Sequence, residues 1–181
     1  MDSTTRRPRV KCCRLLLQLG LVALAPWMMS GCGYTLSSVV PGYIKTIAIP
    51  VFQNSTVEFG IAEDVTRALQ DAFQANGRLT AAGEKQADSV LRGTVLAYRN
   101  QPFGYTQQER ATSYEVALTV RVLYRDLVKS RDIWKEDALT VRTTYNIVAV
   151  GGVPARTETD ARAEVVRKLA DQIVSRTVQG W

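Results

Sequence analysis

Reactive chemistry in a protein needs groups that attack, move protons or hold metal, and this chain is short of them. Among 181 residues there is no histidine, and the only cysteines are Cys12, Cys13 and Cys32. Ser-His-Asp and Cys-His nucleophilic machinery is therefore excluded, and so are zinc sites built on His or Cys. Carboxylate pairs remain. Glu136 and Asp137 are neighbours on a predicted strand, where successive side chains point to opposite faces, so the two carboxylates point apart. Glu63 and Asp64 fall on the solvated side of a predicted helix. Gly151-Gly152 stands alone, without the rest of a phosphate-binding loop. The chain reads as a non-enzyme, with no catalytic residue, no metal ligand and no cofactor.

The residue left with chemistry to do is Cys32. Before it lie five basic residues (Arg6, Arg7, Arg9, Lys11, Arg14), an apolar run from Leu15 to Met29, and the small residues Ser30 and Gly31. That order of charge, apolar run and small residues is a secretory signal, and its apolar stretch is shorter than the ~20 residues a bilayer-spanning helix needs. Small residues immediately before a cysteine resemble the bacterial lipobox, whose cysteine sulfur receives a diacylglycerol before the signal is cut and the new amine is acylated. Small side chains give the processing enzymes access to the thiol and the peptide bond. Residues 1–31 are thus expected to be removed as a signal peptide, Cys32 to carry lipid, and residues 32–45, rich in Gly, Ser and Pro, to form a tether. Gly33 follows the cysteine where Asp marks inner-membrane retention, which points to the outer membrane.

Removing the leader changes the charge argument. It holds five of the 23 Lys and Arg residues and one of the 17 acidic residues, so the mature chain falls from +6 to +2. Its longest basic run is Arg167-Lys168, so nucleic acid is not an expected partner. The remaining 150 residues suit a single domain.

The elements that position whatever surface matters follow from periodicity. Residues 46–52 are a β-branched apolar strand, with Pro50 requiring a sheet edge or a bulge, and 53–56 are the turn after it. Ile61, Val65, Leu69 and Phe73 recur every four residues and predict a helix over 59–76, stopped by Asn76-Gly77. Residues 89–99 form a strand. In the next one Tyr114, Val116, Leu118, Val120, Val122 and Tyr124 share one face while Glu115, Thr119, Arg121 and Arg125 share the other, so one face is covered and one is wet. Residues 133–145 form a further strand. Thr157-x-x-Asp160 then caps a helix with Val165, Val166, Leu169, Ile173 and Val174 in its stripe. The expected fold is α/β: a two-layer sandwich with two helices packed on one face of a small, about four-stranded mixed sheet, in the order β-α-β-β-β-α, as a single domain over 46–181.

Several stretches, taken in order, resemble the LptE family of lipopolysaccharide-assembly lipoproteins. They are Gly31-Cys32-Gly33-Tyr34-x-Leu36, Ile47-Ala48-Ile49-Pro50-Val51-Phe52-x-Asn54-x-Thr56, Thr66-x-x-Leu69, Gly77-Arg78-Leu79, Ala87-Asp88-Ser89-Val90-Leu91-x-Gly93 and the strand led by Tyr114. The resemblance implies two helices on a small mixed sheet and an outer-membrane anchor on the periplasmic side. It also implies a place as assembly partner and plug of the LptD β-barrel, and contact with lipopolysaccharide. Lipid phosphates call for arginine, whose planar fork holds two oxygens at once. Loop positions make Arg99 and Arg110, which bracket residues 100–109, and Arg156, after Gly151-Gly152-Val153-Pro154, the candidate ligand-binding residues, and Phe103 and Tyr105 could instead anchor a protein. A different class, a lipid-anchored component that self-assembles into a secretion ring, is the alternative, and it predicts homo-oligomers where the first reading predicts a monomer.

Overall fold

A computed structural model describes residues 40–105, 110–149 and 151–179. The leader, Cys32 and tether residues 33–39 lie outside them.

The described chain runs β1 (Thr46–Ala48), β2 (Gln53–Asn54), α1 (Ile61–Asn76), β3 (Thr80–Ala81), β4 (Ser89–Tyr105), β5 (Ala111–Asp126), β6 (Arg131–Asn146) and α2 (Glu158–Gln179). The sheet is mixed and has six strands, in the spatial order β3-β1-β4-β5-β6 with β2 also paired to β4. β1 lies parallel to both β3 and β4, and β2 is parallel to β4, whereas β4-β5-β6 is an antiparallel meander. Both helices cover one face of it, and a single apolar core fills the space between.

Three expectations are corrected here. The sheet has six strands rather than about four, and the order is β-β-α-β-β-β-β-α rather than β-α-β-β-β-α, because β2 and β3 are two residues long and so short a pairing leaves no periodicity to read. The predicted strand over 46–52 is interrupted: β1 ends at Ala48, the chain leaves the ladder through Ile49–Phe52, and β2 resumes on the same edge of β4. Pro50 offers no N–H to a ladder, and the gap lets Phe52 turn inward, where its N–H donates to Thr66 Oγ1 at 3.0 Å. β1 is therefore an interior strand with a break in it, not an edge. Finally, residues 100–105 belong to β4 and not to a loop.

The helices are built as their stripes require. Ile61, Val65, Leu69 and Phe73 of α1 are each at most 1% exposed. Gly77 closes α1 at φ 71°, a left-handed backbone that suits glycine, and its N–H donates to Phe73 O. At the head of α2 the predicted box is present: Asp160 N–H donates to Thr157 Oγ1 at 3.2 Å, and Thr157 N–H donates to Asp160 Oδ2 at 3.0 Å. The two helices run in the same direction: Arg162 at the start of α2 pairs with Asp64 in the first turn of α1, while Arg78 just past α1 reaches Val178 at the end of α2.

On β5 the buried apolar side chains are Val116, Leu118, Val120, Val122 and Tyr124, as the alternation predicts. They face the helices. The other face of the meander carries no element from Arg92 onward among the described residues.

Candidate functional site

Two surfaces of this fold are available for recognition. One is the helix-free face of β4-β5-β6, and the other is the end of the sheet where β4 turns into β5 and β6 leads into α2.

Cross-strand register builds the helix-free face. Arg92 stands opposite Leu123, Thr94 opposite Arg121, Arg99 opposite Ala117, and Ala117 in turn opposite Arg142. Its charges are interlocked: Arg121 pairs with Asp137 at 3.4 Å, Lys135 with the same Asp137 at 3.0 Å, Arg125 with Asp132 at 3.3 Å, and Arg92 with Glu84. These side chains are about half exposed, so each pair contributes little to stability. The face is polar and alternates in sign. Between its strands and the β1-β2 break lies an open hollow of about 350 Å³ lined by Pro50, Val51, Arg92, Arg121 and Leu123.

The expected opposition of Glu136 and Asp137 is present. Glu136 faces the helices and binds Arg176 at 2.7 Å, while Asp137 faces away with Arg121. Asp64, expected on a solvated helix face, instead lies half-buried between the helices and binds Arg162 at 2.9 Å. Arg162 also reaches Glu58 at 2.5 Å and the Phe59 carbonyl at 2.8 Å, and stacks over the Tyr98 ring. Burial, reinforced by the Glu158 carboxylate that its hydroxyl donates to at 3.1 Å, pushes the Tyr98 phenol well above its ordinary range. No periodicity marks Arg162 in the sequence. Its partners come from residues about a hundred positions away.

The three candidate arginines do not converge. Arg99 sits within β4, exposed and on the helix-free face, opposite Ala117. Arg110 precedes β5 at the hairpin tip, seven residues from Ala117, so the two are roughly 20 Å apart along the strands and bracket no short loop. Arg156 is on the helix side: its N–H donates to Asn146 O, and its guanidinium binds Glu164 Oε2 at 2.6 Å and Asp160 O at 3.3 Å. Phe103 and Tyr105 are 63% and 61% exposed near the hairpin tip. Residues 106–109 lie outside the described set, and Cys32 with them.

One electrostatic cluster among the described residues went unread in the sequence. Glu164 on α2 accepts from Lys168 Nζ at 2.7 Å, Thr143 Oγ1 at 2.7 Å and Arg156 Nη1 at 2.6 Å. These three donors, Lys168 first, hold its carboxyl down at about 2 from an ordinary 4.5. A depressed carboxylate stabilises the fold fully above pH ~4.5 and loses that contribution as pH falls toward 2. Glu164→Gln is thus expected to lower stability by about 1–2 kcal/mol near neutral pH, allowing for screening, with the difference from wild type closing in acid. Denaturant titrations across that pH range check it, and a difference independent of pH would show that Glu164 acts by packing alone.

No curated protein matches the sequence. Among solved structures, the fold is similar to protein XCC0632 from Xanthomonas campestris (11% identity, 76% of this chain and 88% of that one, TM-score 0.54). It is also similar to the hypothetical protein CT253 from Chlamydia trachomatis (9% identity, 74% and 95%, TM-score 0.52). A third similar structure is a PelC dodecamer from Paraburkholderia phytofirmans (15% identity, 74% and 89%, TM-score 0.50). At these identities the likeness is one of fold. The LptE lipopolysaccharide-assembly family matches residues 44–177, a span that takes in every described strand and most of α2. Two helices on one face of a mixed sheet, the order of the motifs and the extent of that match agree: the chain belongs to the LptE family of lipopolysaccharide assembly.

Proposed function

We propose that this protein is an outer-membrane lipoprotein that assists assembly of an LptD-type β-barrel and plugs it, taking part without catalysis in delivery of lipopolysaccharide to the cell surface. The observation that carries the reading is the family match across the whole α/β core. The helix-free face supports it, because a plug standing in a water-lined lumen needs a broad polar surface, and this one alternates Arg, Thr and carboxylate side chains. The same family match favours assembly over the ring-forming alternative. Acylation at Cys32 places the protein on the periplasmic side of the outer membrane.

The test is affinity purification of the tagged, lipidated protein from solubilised envelopes. A large β-barrel recovered in equal amount is expected, and recovery of the lipoprotein alone, or only as its own multimer, would sink the reading.

Within this reading Arg99, Arg110 and Arg156 contact separate parts of a large anionic glycolipid rather than one phosphate, since they stand on different surfaces. Changing Arg99 and Arg110 to Glu and Arg156 to Gln, which spares Glu164 a like charge, should weaken lipopolysaccharide binding at least tenfold, roughly one charge-assisted hydrogen bond's worth, while the circular dichroism spectrum holds. Unchanged binding would remove these residues as ligand contacts.

A further inference from the structure

We propose that the end of the sheet opposite the β4-β5 hairpin is a docking surface for anionic phospholipid headgroups, so that the fold stands on the membrane rather than swinging from a loose tether. This rests on the reading of Cys32 as the lipidated residue.

β1, β3 and β4 all start at this end, β5 finishes and β6 begins there, and both helices reach it with their C-termini. The first described residue, Val40, lies eight residues beyond Cys32, a reach of at most ~28 Å of extended chain. Any bilayer holding the acyl chains is therefore close to this end of the fold.

Cations outnumber free carboxylates here: Asp88 and Asp126 turn inward, while the half-exposed Asp132 is paired with Arg125 at 3.3 Å. Asp88 Oδ2 accepts from Lys45 N–H at 2.9 Å, Thr46 N–H at 3.0 Å and Thr46 Oγ1 at 2.9 Å. The buried Asp126 accepts from the Tyr43 hydroxyl and from Lys129 N–H at 2.9 Å. The cations turn outward: the side chains of Lys45, Arg78, Lys129 and Arg131 are all exposed, Arg131 while pairing with Asp126 Oδ2 at 3.6 Å through its Nε. Arg78 also donates to the Val178 carbonyl at 3.4 Å, offsetting the negative end of α2. Among these cations Val128 projects from the β5-β6 turn at 61% exposure, and Tyr43 lies beneath Lys129, whose Nζ is 4.5 Å from the ring centroid. An apolar hollow of about 200 Å³ lined by Val40, Pro41, Ile44, Leu79 and Val178 opens between Lys45 and Arg78.

Exposed cations around a projecting apolar tip are the chemistry of an interfacial contact with an anionic leaflet, where each basic residue strengthens association roughly fivefold. The inward carboxylates matter to the proposal because they let the surface stay cationic while the chain entering the fold is hydrogen-bonded in place.

The experiment uses the lipidated protein purified from membranes, carrying Val128→Cys as the one labelling site for an environment-sensitive fluorophore. It is reconstituted in phosphatidylcholine vesicles with and without phosphatidylglycerol. Anionic vesicles are expected to shift the label to the blue and to cut its quenching by an aqueous quencher by roughly fivefold. High salt should reverse both effects, as should the variant Lys45→Gln, Arg78→Gln, Lys129→Gln, Arg131→Gln, whereas a label at Val153→Cys should show neither. Equal quenching in both vesicle types, or protection at Val153 instead, would overturn the proposal. Intact mass reports acylation of Cys32 separately. If the chain is unacylated, flotation with anionic vesicles that the fourfold Gln variant loses still supports the docking surface, and flotation unchanged by that variant overturns it.

Discussion

Gly93→Val should leave a protein that melts at least ~10 °C lower or fails to fold, the largest stability loss expected of any single change in the sheet. Gly93 lies in β4 opposite Val122, and the Phe52 ring lies flat against its backbone. A β-carbon added there would stand 2.1 Å from Phe52 Cε2 and 2.5 Å from Cζ. The ring has nowhere to retreat. Phe52 is 3% exposed, and its own N–H is tied to Thr66 Oγ1, which in turn donates to Ala62 O at 2.7 Å inside α1. Overpacking of a well-filled core usually costs 1–3 kcal/mol, and a clash with an immobile ring belongs at or above the top of that range, about 3–5 kcal/mol with the larger side chain. Pairing the change with Phe52→Ala should recover part of the loss, because the two residues share one space and their effects cannot add. A Gly93→Val protein with the parental melting temperature would show that the β1-β2 break is not locked by this contact.

The other large effect concerns attachment. Cys32→Ala removes the sulfur on which the proposed lipid is built, and it is expected to abolish labelled palmitate incorporation and to leave residues 1–31 uncut, as read by intact mass. One acyl chain gives only reversible membrane binding while three make it lasting, so loss of acylation should also end fractionation with the outer membrane. A Cys32→Ala chain that still took up palmitate, or still fractionated with that membrane after cleavage, would sink the lipoprotein reading. With Gly93→Val the two changes separate folding from anchoring, since the first acts on the core and the second on a residue outside the LptE match over 44–177.

The helix stripes, the alternation of β5, the Gly77 stop and the Thr157-Asp160 cap could all be read directly, because each depends on residues within a turn or two of one another. The candidate site was less legible. Arg99 and Arg110 look like the two ends of one loop in a linear reading, yet β4 continues through Tyr105 and separates them along the strand. Strand signal fades there because Asn100, Gln101, Pro102 and Gly104 are weak strand formers, and it is pairing with β5 that holds them extended. Of the Glu164 cluster only the i,i+4 spacing to Lys168 was local; its Thr143 and Arg156 partners, and Arg162 with Glu58 and Asp64, gave no local sign.

By itself the sequence determined the class of the protein. The two amphipathic helices and the half-covered strand limit it to an α/β domain with helices on one face of a sheet, and local periodicity with composition is enough for that. Only the tertiary structure decided that the first strand breaks to seat Phe52 on Gly93, that Asp88 and Asp126 turn inward at the end of the sheet where Lys45, Arg78 and Lys129 are exposed, and that the candidate arginines lie on different surfaces. Those outcomes depend on pairings between residues tens of positions apart, and such contacts are chosen by packing the whole core at once rather than by any stretch of chain alone.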